Sequence, residues 1–188
     1  MKKLIVAAIA MMAMAQAQAT LIDFDEFETG PFTGILGTED GFTISATGGL
    51  PYIDDFGGVF GNPLNGFFND ASGTTVFSFV SGGTFTFDTL DLIGGMFDQD
   101  IADVIVVGYL DEVLQQSDTF SPTIDWTTFS ANNLAGVTID KLVVKMPAWG
   151  TSGDNLVLAA ASVPEPGTLG LLGLGLVGML ARRRRLAA

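Results

Sequence analysis

Between Leu21 and Ala160 the apolar residues recur at every second position, in short runs broken by Gly, Asn, Asp, Ser and Pro. A period of two places successive side chains on opposite faces of an extended strand, whereas a helix would need spacings of three and four. Such runs are found at Leu21–Phe27, Gly41–Ala46, Thr75–Val80, Thr84–Ile93, Val104–Leu110, Asp125–Phe129, Val137–Met146 and Asn155–Ala159. Many short strands with glycine-rich turns predict an all-β domain, a two-sheet β-sandwich or jelly roll. An N-terminal signal helix and a short C-terminal transmembrane helix are expected to flank it.

The alternation slips at two places. Phe85 and Phe87 share one parity and Leu90 and Leu92 the other, so a bulge or bend is expected near Asp88-Thr89. Val137 and Ile139 are odd while Leu142, Val144 and Met146 are even, which places a second irregularity near Asp140. Val104–Val107 is continuously apolar, as in a central strand covered on both sides. The stretch Gly48–Gly73 is rich in Gly and Asn yet holds Tyr52, Phe56, Phe60, Phe67 and Phe68. It is too aromatic for disorder and is expected to form an ordered loop over one sheet.

Both ends of the chain are addresses. Lys2-Lys3, the apolar run Leu4–Ala15 and the small-residue pattern Ala17-Gln18-Ala19 form a cleavable signal peptide over residues 1–19. At 1.5 Å per residue the apolar run reaches about 18 Å, short of a membrane core of about 30 Å, which favours cleavage over anchoring. Export through the Sec machinery and cutting by signal peptidase follow from that pattern. At the other end, Val163-Pro164-Glu165-Pro166-Gly167 precedes the apolar run Thr168–Ala181 and the cluster Arg182-Arg183-Arg184-Arg185. The two prolines fix φ and remove backbone donors, which leaves an extended grip for a processing enzyme. The apolar run is too short to span comfortably, and the arginines hold its end in the cytoplasm.

In order and spacing this tail, residues 163–188, resembles the PEP-CTERM sorting tail, a class also catalogued as the ice-binding protein C-terminal domain. The second label describes the tail and implies nothing about ice. The resemblance implies a transient membrane anchor, an exosortase-type processing enzyme as partner, and display at the cell surface or in an exopolysaccharide-rich extracellular matrix or biofilm.

The body, residues 20–162, contains every acidic residue except Glu165 and only two cations, Lys141 and Lys145, for a net charge of about −18. A charge of that sign repels phosphate backbones and anionic headgroups, which excludes nucleic acid as a partner. The chain has no Cys and no His. Disulfides, zinc sites built on thiolate or imidazole, and Ser-His or Cys-His nucleophiles are therefore all excluded. Carboxylate pairs support glycoside hydrolysis, but so many acids in one domain bring pairs together by chance, and we expect no enzyme. Asp98-Gln99-Asp100-Ile101-Ala102-Asp103 opens like an EF-hand and then fails, with Asp103 where glycine is required, so it is expected to be a solvated turn.

Four segments of the body (Ile22-Asp23-Phe24-Asp25, Gly41-Phe42-Thr43-Ile44, Val106-Val107-Gly108-Tyr109 and Asp154-Asn155-Leu156-Val157) resemble galactose-binding-like, carbohydrate-binding-module-like sandwiches. That resemblance implies a structural Ca²⁺ joining the first and last strands. Asp25 and Asp154 are its candidate ligands, with Glu26 and Glu28 in reserve, since Ca²⁺ takes six to eight oxygens. A turn cap is the alternative role for Asp154. Trp126, Trp149, Tyr52 and Tyr109 are the rings able to stack on a sugar; Trp149, between Pro147 and Gly150, is the foremost. The expected function is a non-enzymatic surface or matrix protein whose ectodomain is a structural or binding module. A carbohydrate-binding module with its own glycan ligand is the alternative, and a carboxylate glycoside hydrolase a distant third.

Overall fold

The computed structural model describes residues 19–54, 66–69, 73–96, 101–146 and 150–160, and the regular elements among them are all strands. In chain order they are β1 (Ala19–Ile22), β2 (Gly30–Pro31), β3 (Gly34–Glu39), β4 (Phe42–Gly48), β5 (Pro51–Asp54), β6 (Gly66–Asn69), β7 (Thr75–Ile93), β8 (Val104–Leu110), β9 (Val113–Phe120), β10 (Thr127–Ser130), β11 (Ile139–Met146) and β12 (Ser152–Ala160). Every pairing is antiparallel.

The strands β3-β4-β7-β11-β8-β9 form one layer, using the first half of β7. The strands β2-β5-β6-β12-β7-β10 form the other, using its second half. β1 extends the second layer by pairing Ile22 with Leu156 of β12. β7 thus crosses from one layer to the other. It does so at Ser81–Thr84, where four residues of β7 face the single residue Asp140 of β11. The Gly82-Gly83 pair lies in that bend, in open space.

Inward side chains from both layers meet in one core. Phe67 of β6 is at its centre, 4.7 Å from Phe77, 4.9 Å from Phe24 and 5.9 Å from Phe79 between ring centroids. These tilted and edge-on pairs put the positive rim of one ring on the negative face of the next. Phe24 reaches the core from the turn after β1 with φ of 63°, a conformation unfavourable for a bulky residue. Glu39, the last residue of β3, holds it there: Glu39 Oε1 accepts the N–H groups of Asp23 at 2.9 Å and Phe24 at 3.4 Å. At the far end Asp118 accepts three backbone N–H bonds, from Asn132 (2.9 Å), Asn133 (2.7 Å) and Leu134 (3.2 Å). They tie the turn before β11 to β9.

Both expected irregularities are present. Asp88 is bulged between the rungs Val157↔Thr89 and Leu158↔Phe87. Asp140 marks the second slip. Three expectations are corrected. Thr75–Val80 and Thr84–Ile93 are one continuous strand, because the bend between them keeps the ladders on either side. Gly48–Gly73 is no loop throughout: it contains β5 and β6, which pair with each other. Val104–Val107 is not covered on both sides, since Ile105 is 39% exposed. β9 went unpredicted because Val113 and Leu114 lie at an exposed hairpin tip, leaving Asp118 and Phe120 as its buried residues. The expected terminal helices fall outside the described residues.

The core holds Gly153 to glycine by close approach. A Cβ at Gly153 would lie 2.5 Å from Cζ of Phe67 and 3.1 Å from Cε of Met146. Gly153→Ala should therefore destabilise the domain by about 1–3 kcal/mol through overpacking, measured as a lowered urea midpoint at unchanged m-value.

Candidate functional site

Strand parity divides the second layer into two faces. Ile53, Phe67, Gly153 and Leu92 point into the core from β5, β6, β12 and β7. Their neighbours Tyr52, Phe68, Ser152 and Ile93 form a row on the opposite, outer face. One step along that face, Asp54 pairs with Gly66 and Asp154 pairs with Asp91. The outer face therefore combines an apolar row with a row of carboxylates.

The apolar row is a cluster separate from the core. Phe68, Ile93 and Met96 are buried, and the half-buried Tyr52 and Trp126 pack against them. Tyr52 and Phe68 stand edge to face, 6.2 Å apart at 75°. Trp126 immediately precedes β10, whose Thr127 pairs with Leu92 beside Ile93. The Trp126 loop is tied down by the N–H of Gly94 donating to Thr123 O at 2.8 Å. Its Nε1 is buried with no acceptor among the described residues.

The carboxylate row is shaped by a bulge in β12. Asn155 takes φ of 47°, the rungs slip between Asp154 and Val157, and its N–H donates to Asp154 Oδ1 at 2.7 Å. Its side-chain Nδ2 donates to Asp91 Oδ2 at 3.0 Å, bridging the two strands. Gly66 leaves a notch beside Asp154, and a Cβ there would come within 3.0 Å of Gly153 O and 3.7 Å of Asp154 Cβ. Beneath the site Asn69 holds β6 in place by accepting from Thr75 Oγ1 at 2.7 Å and donating to Met146 O at 3.2 Å.

Of the rings singled out in the sequence, Tyr52 and Trp126 meet here. Tyr109 is on the outer face of the other layer, with Lys141 Nζ 5.5 Å from its centroid. Trp149 lies outside the described residues, although the adjacent Gly150 accepts from Met96 N–H at 3.0 Å. Asp25 and Asp154 both lie just beyond the last rung of the β1–β12 ladder, Ile22↔Leu156. Their surroundings differ: Asp154 is fully buried, whereas Asp25 is exposed in a turn where its N–H donates to Asp23 Oδ1. Glu26 and Glu28 are exposed in the same turn region. Among the described residues no three acidic side chains form a group able to hold a metal ion. Ala17, the Pro164-Glu165-Pro166 motif, Arg182–Arg185 and the first half of the acidic turn, Asp98–Asp100, also lie outside the described residues, and Ala19 begins β1.

Residues 162–185 match the family model described as the PEP-CTERM protein-sorting motif. A tail of this kind marks a chain for export and sorting at the membrane. No curated protein matches the chain. Among solved structures it is similar to a point mutant of the family 29 carbohydrate-binding module CBM29-2 complexed with mannohexaose, at 15% identity and a TM-score of 0.48, covering 77% of this chain and 93% of that one. A second mutant of the same module, complexed with cellulohexaose, gives 15% identity and a TM-score of 0.47 over 77% and 93%. A family 29 module gives 16% and 0.46 over 77% and 90%. The sandwich rests on the strand pairing above, and the site on this chain's own residues.

The Glu39 carboxyl departs clearly from its ordinary value. Burial pushes the Glu39 carboxyl up from 4.5 to about 7; the charge of Asp23 adds to the rise and the N–H donors of Asp23 and Phe24 oppose it. Glu39 Oε2 is buried without a partner, as suits a carboxyl that keeps its proton. The folded value lies above the unfolded one, so the protonated fold is favoured: the stabilisation is complete below about 4.5 and lost as pH rises through about 7. Glu39→Gln, which keeps the acceptor and cannot ionise, should remove this fall in stability between pH 5 and 8, followed by thermal melts across that range.

Proposed function

We propose that the protein is exported, held briefly at the membrane by its tail, and released or displayed as a non-enzymatic carbohydrate-binding sandwich in the exopolysaccharide matrix. The observation that carries the binding half is the pair of half-buried rings Tyr52 and Trp126, packed on the buried Phe68, Ile93 and Met96 outside the main core, with Asp91 one step along the strands. Aromatic rings stack on the apolar faces of sugars while acidic and amide groups accept and donate to their hydroxyls. The sorting half is supported by the match at residues 162–185.

Glycan-array and calorimetric binding on residues 20–162 tests the first half. Trp126→Ala and Tyr52→Ala should each weaken binding about tenfold, roughly 1.4 kcal/mol per ring. Tyr109→Ala, on the other layer, should leave it unchanged. Equal losses from all three would remove the surface from the proposal.

The tail has its own test. Replacing Pro164, Glu165 and Pro166 with alanine should leave export intact and cause full-length protein to accumulate in the inner membrane, visible by fractionation and blotting. Release at the wild-type rate contradicts the sorting role. A structural Ca²⁺ spanning Asp25 and Asp154 completes the proposal, supported by their position at one end of the terminal ladder. Millimolar Ca²⁺ should raise the melting temperature by several degrees more than Mg²⁺, and Asp154→Ala should abolish the difference.

A further inference from the structure

Residues 20–162 contain every acid except Glu165 and only two cations, Lys141 and Lys145. Both project from β11 on the outer face of the first layer, since Leu142, Val144 and Met146 of the same strand enter the core. Side chains directly opposite across a rung share a face, so the pairings carry this face over the neighbouring strands. The row through Val143 runs from Ser45 of β4 and Ser78 of β7 to Val107 of β8 and Ser117 of β9. The rows on either side, through Lys141 and through Lys145, add Tyr109 and several Val, Ile, Leu and Thr residues, and none of the three rows contains an acid. Part of that apolar surface is open: Val80 and Ile105 are each 39% exposed and Leu114 58%. Acids stand beyond the rows. Glu112, exposed at the β8–β9 turn, is 3.0 Å from Lys141 Nζ, and at the other end Asp103 accepts from Ser121 Oγ at 2.6 Å. Lys145 has no ion pair among the described residues. Two bodies of net charge about −18 repel wherever carboxylates oppose each other, within a Debye length of about 8 Å. Across this face they can approach without that opposition.

We propose that this face joins two copies of the chain, packed sheet on sheet about a two-fold axis that runs along the Val143 row. Lys141 and Lys145 stand on opposite sides of that row, each ~7 Å along the strand from it. The rotation therefore lays the unpaired Lys145 of one copy beside the Lys141–Glu112 corner of the other, and does so twice, as an isologous contact requires. Six strands ~4.8 Å apart, with about seven residues each, give a face of roughly 24 by 24 Å. With side-chain relief this approaches the ~800 Å² per partner of a stable interface. Val143 and Val107 at the centre, with hydroxyls and ammonium groups around them, match the apolar core and polar rim of such contacts. The Tyr52–Trp126 surface is on the other layer, so each copy would turn it outward and the dimer would present two such surfaces on opposite sides. The contact itself uses the first layer alone and does not depend on the glycan reading.

The chain has no cysteine, so single-cysteine variants of the full chain report its contacts in cells that export it. Ser78→Cys and Ser117→Cys lie on the axis row, where each would face its own counterpart across sheets ~10 Å apart. Both should give a covalent dimer with a short bismaleimide, read on a denaturing gel. Thr128→Cys, on the outer face of β10 in the other layer, should stay monomeric. Ile105→Glu, which puts a carboxylate on the face, should lower the dimer fraction of the Ser78→Cys chain about tenfold. Ile124→Glu, the same change at a 69% exposed site of the second layer, should leave it. Monomer from both serine positions overturns the proposal, as does equal linking through Thr128→Cys, which crowding alone would give. Linking that survives Ile105→Glu, or falls equally with Ile124→Glu, overturns it too.

Discussion

One strand is hydrogen-bonded in both layers, and the rest of the sandwich is organised by it. The first half of β7 pairs with β4 and β11, the second with β12 and β10. Since the backbone is continuous, the bend at Ser81–Thr84 fixes how the two layers face each other. Phe77 and Phe79 before the bend, and Phe85 and Phe87 after it, all point inward. Phe67 wedges against the first pair from the second layer, and Phe120 reaches across from the first layer to Phe87 at 6.2 Å. A glycine pair in open space lets the chain turn there without a side chain obstructing either layer.

How far this was legible depended on whether one face or two were covered. The slips at Asp88 and Asp140 could be found because each breaks a count of two in a half-buried strand. β6 could not: Gly66, Phe67, Phe68 and Asn69 are all buried, so alternation is lost and the segment resembles an aromatic loop. β9 failed for the opposite reason, with only two buried residues in eight. The site was legible in its parts alone. Tyr52 and Trp126 stood out as rings, but nothing in the sequence gives the register that brings β5, β6, β12 and β7 into one row. Asp91, between Leu90 and Leu92, has the pattern of any solvated residue in an alternating strand. Its meaning comes from lying opposite Asp154. Asp54, Phe68 and Asn155 were missed for the same reason.

The charges are distributed as unevenly as the rings. Along β11 Lys141 and Lys145 alternate with core residues, so both ammonium groups lie on the outer face of one layer. Across neighbouring strands Lys141 is flanked by Val80 and Tyr109, and Lys145 by Val76 and Ile105. Their stems lie beside apolar surface while the charged ends reach solvent or Glu112. The two outer faces of the sandwich are thus chemically distinct. A body of this net charge is also repelled by anionic headgroups.

One buried carboxyl in this fold opposes stability where a neutral residue would serve. Glu39 holds Asp23 and Phe24 by its Oε1, a task an amide oxygen could perform without the cost of burying an ionisable group. Its structural duty explains its place if not its charge. Asp154 is different: the bulge at Asn155 lets its N–H donate to Asp154 and its side chain donate to Asp91 across the same rung. A sheet selected for stability alone would place an oppositely charged or aromatic pair on that rung. Local choices that conflict with the fold tend to gather where function requires them, and this rung lies one step along the strands from the aromatic cluster. The rung, the bulge and the unmatched indole donor of Trp126 occupy one face.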